Sequence, residues 1–334
     1  MSGNTSFRSS MAADILDYIS LKQALGRRFY QETRTLLSLD RFLCNPASPS
    51  ADLTEETFRL WADLMHSLCS TSKRGRMNVV RNFCLYRRRR HPSCFVPDST
   101  QFPKASPPVQ PYIFSDAEVG RLLRYTECIP ELARSPLRRT ATRLAVVLLY
   151  TTGLRRGELL RLRVADYDPA ARMLLIRESK FHKSRLLPLP EDVAREVEGF
   201  LKGHAKIRPA IPAEAPLLWN PHCGGRAFTA TWLTENLHIL FDLAGIRKPN
   251  GCLPRVHDFR FSFAVNSLIR WYRDGAEVGA KLPYLSTYLG HVSVVSTFHY
   301  LRFIEPLAEL ASAAFGAHYG ALIEDHNADE KEEE

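Results

Sequence analysis

A proline-rich stretch divides this chain of 334 residues into two parts that we expect to fold separately. It reads RRRRHPSCFVPDSTQFPKASPPVQPYIF (residues 87–114) and contains six prolines among serines and other polar residues. Proline breaks helices and removes a backbone donor, so such a stretch is typical of a linker. The chain is also longer than a single compact core usually is. We therefore predict a domain at 1–90, a linker at 91–112, a second domain at 113–320 and an acidic, disordered tail at 321–334.

The spacing of apolar residues predicts helices on both sides of the linker. ILDYISLKQAL, TRTLLSLDRFL and TFRLWADLMHSL, within residues 11–45 and 54–90, repeat apolar residues every three or four positions. After the linker, Ser115 and Glu118 form a capping-box pattern that opens a new helix. RMLLIRES and SRLLPLP flank KFHK as the two strands of a hairpin, and further helices follow at 137–151, 155–162, 191–203, 229–243 and 258–272. The predicted fold is mainly α, with an N-terminal helical bundle and a helical second domain that contains a small antiparallel β-sheet.

Composition indicates a globular protein in a reducing compartment. Hydrophobic residues make up 45% of the chain, and no run of 18 apolar residues occurs that could span a membrane. The seven cysteines are scattered without a CxxC pair, so neither a zinc site nor a disulfide framework is indicated. The start of the chain does not have the pattern of a signal peptide. We expect a cytoplasmic protein.

The formal net charge is +9, and the positive charge is concentrated in SKRGRMNVVRNFCLYRRRR (residues 72–90). A basic region of this kind favours a polyanion such as DNA as the partner. The alternative is that the arginine run is simply the solvated end of a helix. The candidate DNA-binding residues are Lys73, Arg74, Arg76, Arg87, Arg88, Arg89 and Arg90.

Two short motifs place arginines at helix starts. In TTGLRRGEL, Arg155 follows a Gly-Leu turn and Glu158 comes one turn later, so the guanidinium and the helix N-terminus can hold an anion together. Capping and solvated charge would explain the same pattern. In RVHDFRFSFA, His257 and Arg260 are spaced H-x-x-R. That spacing also matches His182–Arg185 and His299–Arg302, so it is weak evidence by itself.

A third motif, LGHVSVVSTFHYLRF (residues 289–303), places Tyr300 nine residues after His291. One continuous helix would point the two side chains to opposite faces. A helix that stops at Gly290, a turn holding His291 and a second helix beginning near Ser293 fit better. Val294, Phe298 and Leu301 then form the buried stripe, with Tyr300 beside it. An ordinary aromatic on the flank of a packed helix is the alternative.

In this order, TGLRRGEL, a lysine in ESKFHKSRLLPLP, HDFRFSFA and LGH with its later tyrosine resemble the tyrosine recombinase (phage integrase) family. The resemblance covers about residues 113–305, and the N-terminal part resembles the family's core-binding domain more loosely. It implies the catalytic residues Arg155, Lys180, His257, Arg260, His291 and Tyr300. Lys183 is close enough to Lys180 to be the alternative hairpin lysine. Phe261 stands where many members have His, and Gly157 where Ser is frequent.

The resemblance implies an enzyme that cleaves and rejoins double-stranded DNA through a 3′-phosphotyrosyl intermediate. Tyr300 is then the nucleophile, His257 the base, His291 a donor to phosphate and Lys180 the acid for the leaving 5′ oxygen. Two guanidiniums can stabilise the charge that builds on the phosphate without a metal. The phosphotyrosyl bond keeps the energy of the broken linkage, so we expect rejoining to need no nucleotide cofactor. We expect the protein to integrate or excise a mobile element and to act as a tetramer on paired DNA sites. Related recombinases are further candidate partners.

Two other functions fit parts of the pattern. A type IB topoisomerase would use similar residues and a similar covalent intermediate. A DNA-binding accessory protein without catalysis would be expected to lack an arginine or the tyrosine, and this chain lacks neither. The target DNA sequence, and whether the reaction is integration, excision or resolution, do not follow from the sequence.

Overall fold

The computed structural model describes residues 6–27, 29–45, 48, 50–107, 109–130, 132–177, 184–207, 209, 211–220, 224–291 and 297. It separates into two compact units, Met1–Val109 and Gln110–Glu334. Among the described residues, no helix combines the length and the apolar character needed to cross a membrane. The prediction of a mainly helical chain with a small antiparallel sheet is confirmed.

The first unit consists of helices α1 (Ala12–Ala24), α2 (Tyr30–Leu43), α3 (Glu55–Asp63) and α4 (Ser70–Arg87). Their apolar faces bury one core, in which Ile15, Leu36, Trp61 and Phe83 are almost inaccessible to solvent. Burying a large apolar side chain contributes about 1.5–3 kcal/mol, so this core accounts for much of the unit's stability.

Much of the predicted linker packs onto this first unit. Phe102 is buried in its core, and Phe95 and Val96 pack against the same core. The aromatic residues of the stretch supply apolar surface, which its prolines and serines do not. The boundaries 1–90, 91–112, 113–320 and 321–334 stay predictions, and the last range lies outside the described residues.

The second unit is built around one buried helix. Its helices are α5 (Asp116–Tyr125), α6 (Arg138–Thr152), α7 (Arg156–Leu159), α8 (Glu191–Ile207), α9 (Ala230–Leu243), α10 (Asp258–Arg273) and α11 (Val278–Leu289). The run from Leu144 to Leu149 in α6 is buried on every side, which is expected of a helix at the centre of a core. Helices α8 and α10 pack against α6.

A three-stranded antiparallel sheet completes the second unit. Its strands are β1 (Tyr167–Asp168), β2 (Met173–Ile176) and β3 (Arg185–Pro188), in the order β1-β2-β3. The β2–β3 pair confirms the predicted hairpin, with Ile176 opposite Arg185 at the end nearest the connecting segment. The short strand β1 was not predicted, because two residues carry no readable alternation.

Two predicted helix ends lie directly before candidate catalytic residues, Arg155 and His291. Helix α6 stops at Gly153 (φ +60°) and α11 stops at Gly290 (φ +67°), both in the left-handed conformation that glycine adopts easily. A Cβ on Gly153 would lie 2.7 Å from Phe263 of α10 and 2.9 Å from Leu289 of α11. The lack of a side chain at Gly153 therefore lets α6, α10 and α11 meet closely.

Candidate active site

Arg155 lies directly after the Gly153 turn and in front of α7, as predicted. Its backbone N–H donates to Glu158 Oε2 (3.0 Å) and its Nη1 donates to Glu158 Oε1 (2.8 Å). Glu158 does cap the helix, but its side chain is only 2% exposed. The charge pattern is therefore part of a buried ion pair and not a solvated one.

Arg260 connects three segments from inside the protein. It lies in the first turn of α10 and is 1% exposed. Its Nη1 donates to the carbonyl of Gly153 (2.8 Å), and its Nη2 donates to the carbonyl of Leu289 (2.6 Å). The same Nη2 lies 2.9 Å from His291 Nε2. Arg260 thus joins the end of α6 and the end of α11 at one point.

His291 follows α11 in a turn, as predicted. Gly290 N–H donates to Thr287 O and His291 N–H donates to Ser286 O (both 2.9 Å), which is the Schellman pattern of a helix end. An arginine can only donate, so His291 Nε2 accepts from Arg260 and Nδ1 carries the proton toward Thr297 Oγ1 (2.9 Å). Burial, followed by the charges of Arg260, Arg155 and Arg185, lowers the pKa of His291 to about 4.

His257 immediately precedes α10. Burial, and then the charges of Arg260 and Arg255, lower its pKa to about 4. The residue as a whole is exposed to solvent, and the two guanidiniums repel the charged form of its ring. Both histidines of the site are therefore neutral at pH 7, which is the form in which an imidazole can accept a proton.

The buried carboxylate of Asp258 fixes the backbone around His257. It accepts from the Arg255 backbone N–H (2.8 Å) and from Arg255 Nη2 (2.9 Å). Lys248 Nζ lies 3.2 Å away, and its side chain is 9% exposed. Asp258 is itself fully buried.

A third arginine of this site was not predicted from the sequence. Arg185, at the start of β3, donates from Nη2 to Glu158 Oε2 (2.9 Å) and from Nε to the carbonyl of Tyr288 (2.7 Å). The H-x-x-R spacing did include Arg185, but there it was only one of three matches. Glu158 was noted for its spacing from Arg155, without a role in the site.

The three arginines cap the end of α11. Arg185, Arg260 and Arg155 donate to the carbonyls of Tyr288, Leu289 and Gly290, respectively, the last at 3.1 Å. Cations stabilise the C-terminal end of a helix, whose last carbonyls otherwise have no partner.

The carboxylate of Glu158 stays ionised among these arginines. Burial alone would raise its pKa, but hydrogen bonds and charge from Arg185 and hydrogen bonds from Arg155 hold that pKa at about 2. Three guanidiniums against one carboxylate leave a net charge of about +2, which favours an anion.

The structure brings together four of the six predicted catalytic residues. Arg155, Arg260 and His291 are linked through the hydrogen bonds above, and His257 precedes Arg260 on α10. Lys180, its alternative Lys183 and Tyr300 lie outside the described residues, as does the second helix predicted near Ser293. The assignments of all six remain predictions.

The candidate DNA-binding residues of the first unit fall into two groups. Arg87 binds Asp14 (2.9 Å) and Asp52 (2.7 Å), and Arg90 binds Asp17 (2.5 Å). Two others have partners within the unit: Lys73 lies 3.6 Å from Asp63, and Arg74 donates to the Pro103 carbonyl. The remaining ones are exposed and form no ion pair within the described part of the unit: Arg76, Arg88 and Arg89.

Known proteins resemble this chain in sequence and in fold. The model of the phage integrase family matches residues 117–304. The y4rB protein of Sinorhizobium fredii, whose name places it among integrases and recombinases, is 32% identical and the match covers 88% of this chain and 93% of that protein. The tyrosine recombinase XerD of Bradyrhizobium diazoefficiens is 29% identical over 87% of this chain and 91% of its own length.

A solved structure confirms the likeness of fold. The Tn1549 transposon integrase, in complex with a circular intermediate DNA, superposes with a TM-score of 0.62 at 16% identity, covering 91% of this chain and 99% of that one. The family match spans more than half of the chain and includes every residue assigned to the site. This chain therefore belongs to the phage integrase family and is a tyrosine recombinase.

Proposed function

We propose that this chain cleaves and rejoins DNA strands at a specific site through a covalent bond between Tyr300 and a 3′ phosphate. The observation that carries the proposal is the joining of Arg155, Arg260 and His291 at one positively charged point beside His257. The Tn1549 integrase with which the chain shares its fold is described on DNA, which supports DNA as the substrate. Integration or excision of a mobile element is the biological setting that the relatives' names support.

The chemistry assigns one task to each group. The Tyr300 oxygen attacks phosphorus, the bond from phosphorus to the leaving 5′ oxygen breaks, and the 3′ phosphate stays on the tyrosine. The phenolic proton passes to His257, which is neutral at pH 7, and Lys180 protonates the leaving oxygen. Rejoining is the reverse reaction, and the energy of the broken bond is kept in the phosphotyrosyl bond.

Arg155 and Arg260 stabilise the charge that develops on the non-bridging oxygens. Their guanidiniums bond to the carbonyls at the end of α11, which fixes these donors in place within the protein. A phosphate offers Arg260 a charged acceptor in place of His291 Nε2. His291 can then carry its proton on that nitrogen and donate it to the phosphate.

Assembly as a tetramer on paired sites is part of the proposal. Exchange between two duplexes breaks four strands, and each break uses one tyrosine, so a complete exchange uses four active sites. Related recombinases could supply some of these copies. The scattered cysteines make the cytoplasm the compartment that we propose.

Replacing Tyr300 with phenylalanine tests the proposal. Nicked duplexes tiled over the DNA that flanks the gene should give a covalent protein–DNA adduct with the wild type on a denaturing gel. Tyr300→Phe should give none, because only the attacking oxygen is lost, and its DNA affinity by fluorescence anisotropy should stay within about twofold. An adduct that persists in this variant would assign the nucleophile to another residue.

A further inference from the structure

Arg185 uses all three of its nitrogens inside the protein. Its Nε donates to the Tyr288 carbonyl (2.7 Å), its Nη2 to Glu158 Oε2 (2.9 Å) and its Nη1 to Glu158 Oε1 (3.3 Å). The side chain is 9% exposed. Both Nη nitrogens of Arg185 bond to a carboxylate, whereas those of Arg260 bond to carbonyls and an imidazole, so the charge of Arg185 is already paired with an anion inside the protein. We therefore expect Arg185 to act on the reaction mainly through the neighbours that it holds.

The first neighbour is Glu158, which Arg185 shares with Arg155. The carboxylate is 2% exposed and is ionised, with a pKa of about 2. Arg185 holds both of its oxygens from one side, and Arg155 holds them from the other through its backbone N–H and Nη1. The position of the Arg155 guanidinium therefore depends on where Arg185 fixes this carboxylate.

The second neighbour is the end of α11. Besides binding the Tyr288 carbonyl, Arg185 lies so close to Gly290 that a Cβ there would be 2.7 Å from Nη1 and 3.1 Å from Cζ. Gly290 in turn accepts from Arg155 Nη2 through its carbonyl and precedes His291. Arg185 thus sets the backbone from which His291 projects.

The geometry points to Arg185 as a positioning residue for strand cleavage, which holds Glu158 and the end of α11 so that Arg155 and His291 face the phosphate. This inference rests on the proposed function of the site. It adds a group from β3, the strand that follows the hairpin lysine, to the arginines and histidines already assigned. A planar fork is required, because one group must bond to a carboxylate and to a carbonyl at the same time.

Two substitutions separate the fork from the charge. Arg185→Lys keeps the charge but replaces three bonding nitrogens by one, so it cannot reproduce the bonds to the carboxylate and the carbonyl in their present geometry, whereas Arg185→Met removes both the charge and the bonds. Single-turnover adduct formation should slow by about tenfold or more in the lysine variant and about 100-fold in the methionine variant, the size expected for an ångström-scale misplacement. DNA affinity by anisotropy should stay within about twofold for both.

Arg163→Met is the matched control for these variants. It removes an exposed arginine that pairs with Glu214 in the same unit, and its rate of adduct formation should equal that of the wild type.

The pKa of His291, followed by NMR, gives a readout that does not depend on cleavage. The charged groups that face this histidine are Arg260, Arg155, Arg185 and Glu158. Loss of the Arg185 charge should raise the pKa of His291 in Arg185→Met, and Arg185→Lys should leave it low while still slowing the reaction. Removal of one partner from a buried ion pair is destabilising, so thermal unfolding determines the folded fraction of each variant.

These measurements separate the inference from the proposed function. If the wild type forms an adduct and Arg185→Lys forms it at the same rate, the positioning role is wrong. It is also wrong if the loss of rate in both variants equals their loss of folded protein. If the wild type forms no adduct, the proposed function is wrong and the positioning role is wrong with it. The pKa of His291 measured by NMR in the Arg185 variants would still show whether Arg185 sets the environment of that histidine.

Discussion

At the scale of single residues, Gly290 combines two constraints that can be separated by experiment. Its φ of +67° costs an alanine about 1–2 kcal/mol, and a Cβ would also lie 2.7 Å from Arg185 Nη1. Gly275, which follows the end of α10, has φ +66° with nothing within 4 Å of its Cβ position. The two glycines therefore share the conformational cost, and only Gly290 has the close approach.

We expect Gly290→Ala to impair cleavage and Gly275→Ala to leave it near the wild-type rate. Both variants should lose similar conformational energy, but only the first should displace Arg185 and, with it, Glu158 and Arg155. Adduct formation by Gly290→Ala should fall by about 10-fold or more, as expected for a small misplacement of catalytic groups. Urea denaturation measures the shared loss of stability. Equal rates for the two variants would show that the packing at Gly290 does not matter for the reaction.

The residues that could be predicted were those with a local signal. Arg155 and Arg260 lie near helix starts, and His291 follows a glycine that ends a helix. The motifs, together with the helix start and stop signals, are therefore enough to select these residues. Arg185 could not be selected in this way. Its partners, Glu158 and Tyr288, are 27 and 103 residues away along the chain, and only the packing of β3 against α7 and the end of α11 brings them together.

At the scale of elements, the ends of helices were more predictable than the charges along them. Gly153 and Gly290 end α6 and α11 as predicted, because a left-handed residue at a helix end strongly favours glycine. The sequence predicts a basic DNA-binding region at residues 72–90, and the structure gives its arginines different surroundings. Arg87 is turned into the unit against Asp14 and Asp52, whereas Arg88 and Arg89 are exposed just after the helix.

This division predicts different effects for neighbouring arginines. Changing Arg88 and Arg89 together to Gln should weaken binding to all duplexes alike and should reduce the slope of log affinity against log salt by about 0.9 for each phosphate that is no longer neutralised. Arg87→Gln should instead lower the free energy of unfolding by about 1.5–3 kcal/mol, since two carboxylates lose charged hydrogen bonds.

Fluorescence anisotropy across a salt series and urea denaturation of the full chain measure the two effects. Arg163→Met, which removes an exposed ion pair of the second unit, serves as the control for the loss of one positive charge. An unchanged salt slope in the Arg88 and Arg89 double variant would mean that this run is a solvated helix end.

For the whole molecule, the order of the motifs carried the resemblance to the family and the spacing of apolar residues predicted the fold class, and both are confirmed. Mainly helical units follow from apolar periodicity, which is strong in α3 and α8, and the small antiparallel sheet follows from the hairpin pattern. The extent of the first unit did not follow from the sequence in the same way. Proline content indicates where helices stop, but it does not indicate whether the intervening chain packs on a core, as Phe102 does.

We propose that Tyr300 becomes covalently joined to DNA at a site built from Arg155, Arg260, His257 and His291. Mass spectrometry tests this proposal after the protein has reacted with a nicked duplex and both the protein and the DNA have been digested. We expect one modified peptide, with a phosphate-linked nucleotide remnant on the oxygen of Tyr300. A remnant on a different residue, such as Tyr284, Tyr288 or a serine, would contradict it.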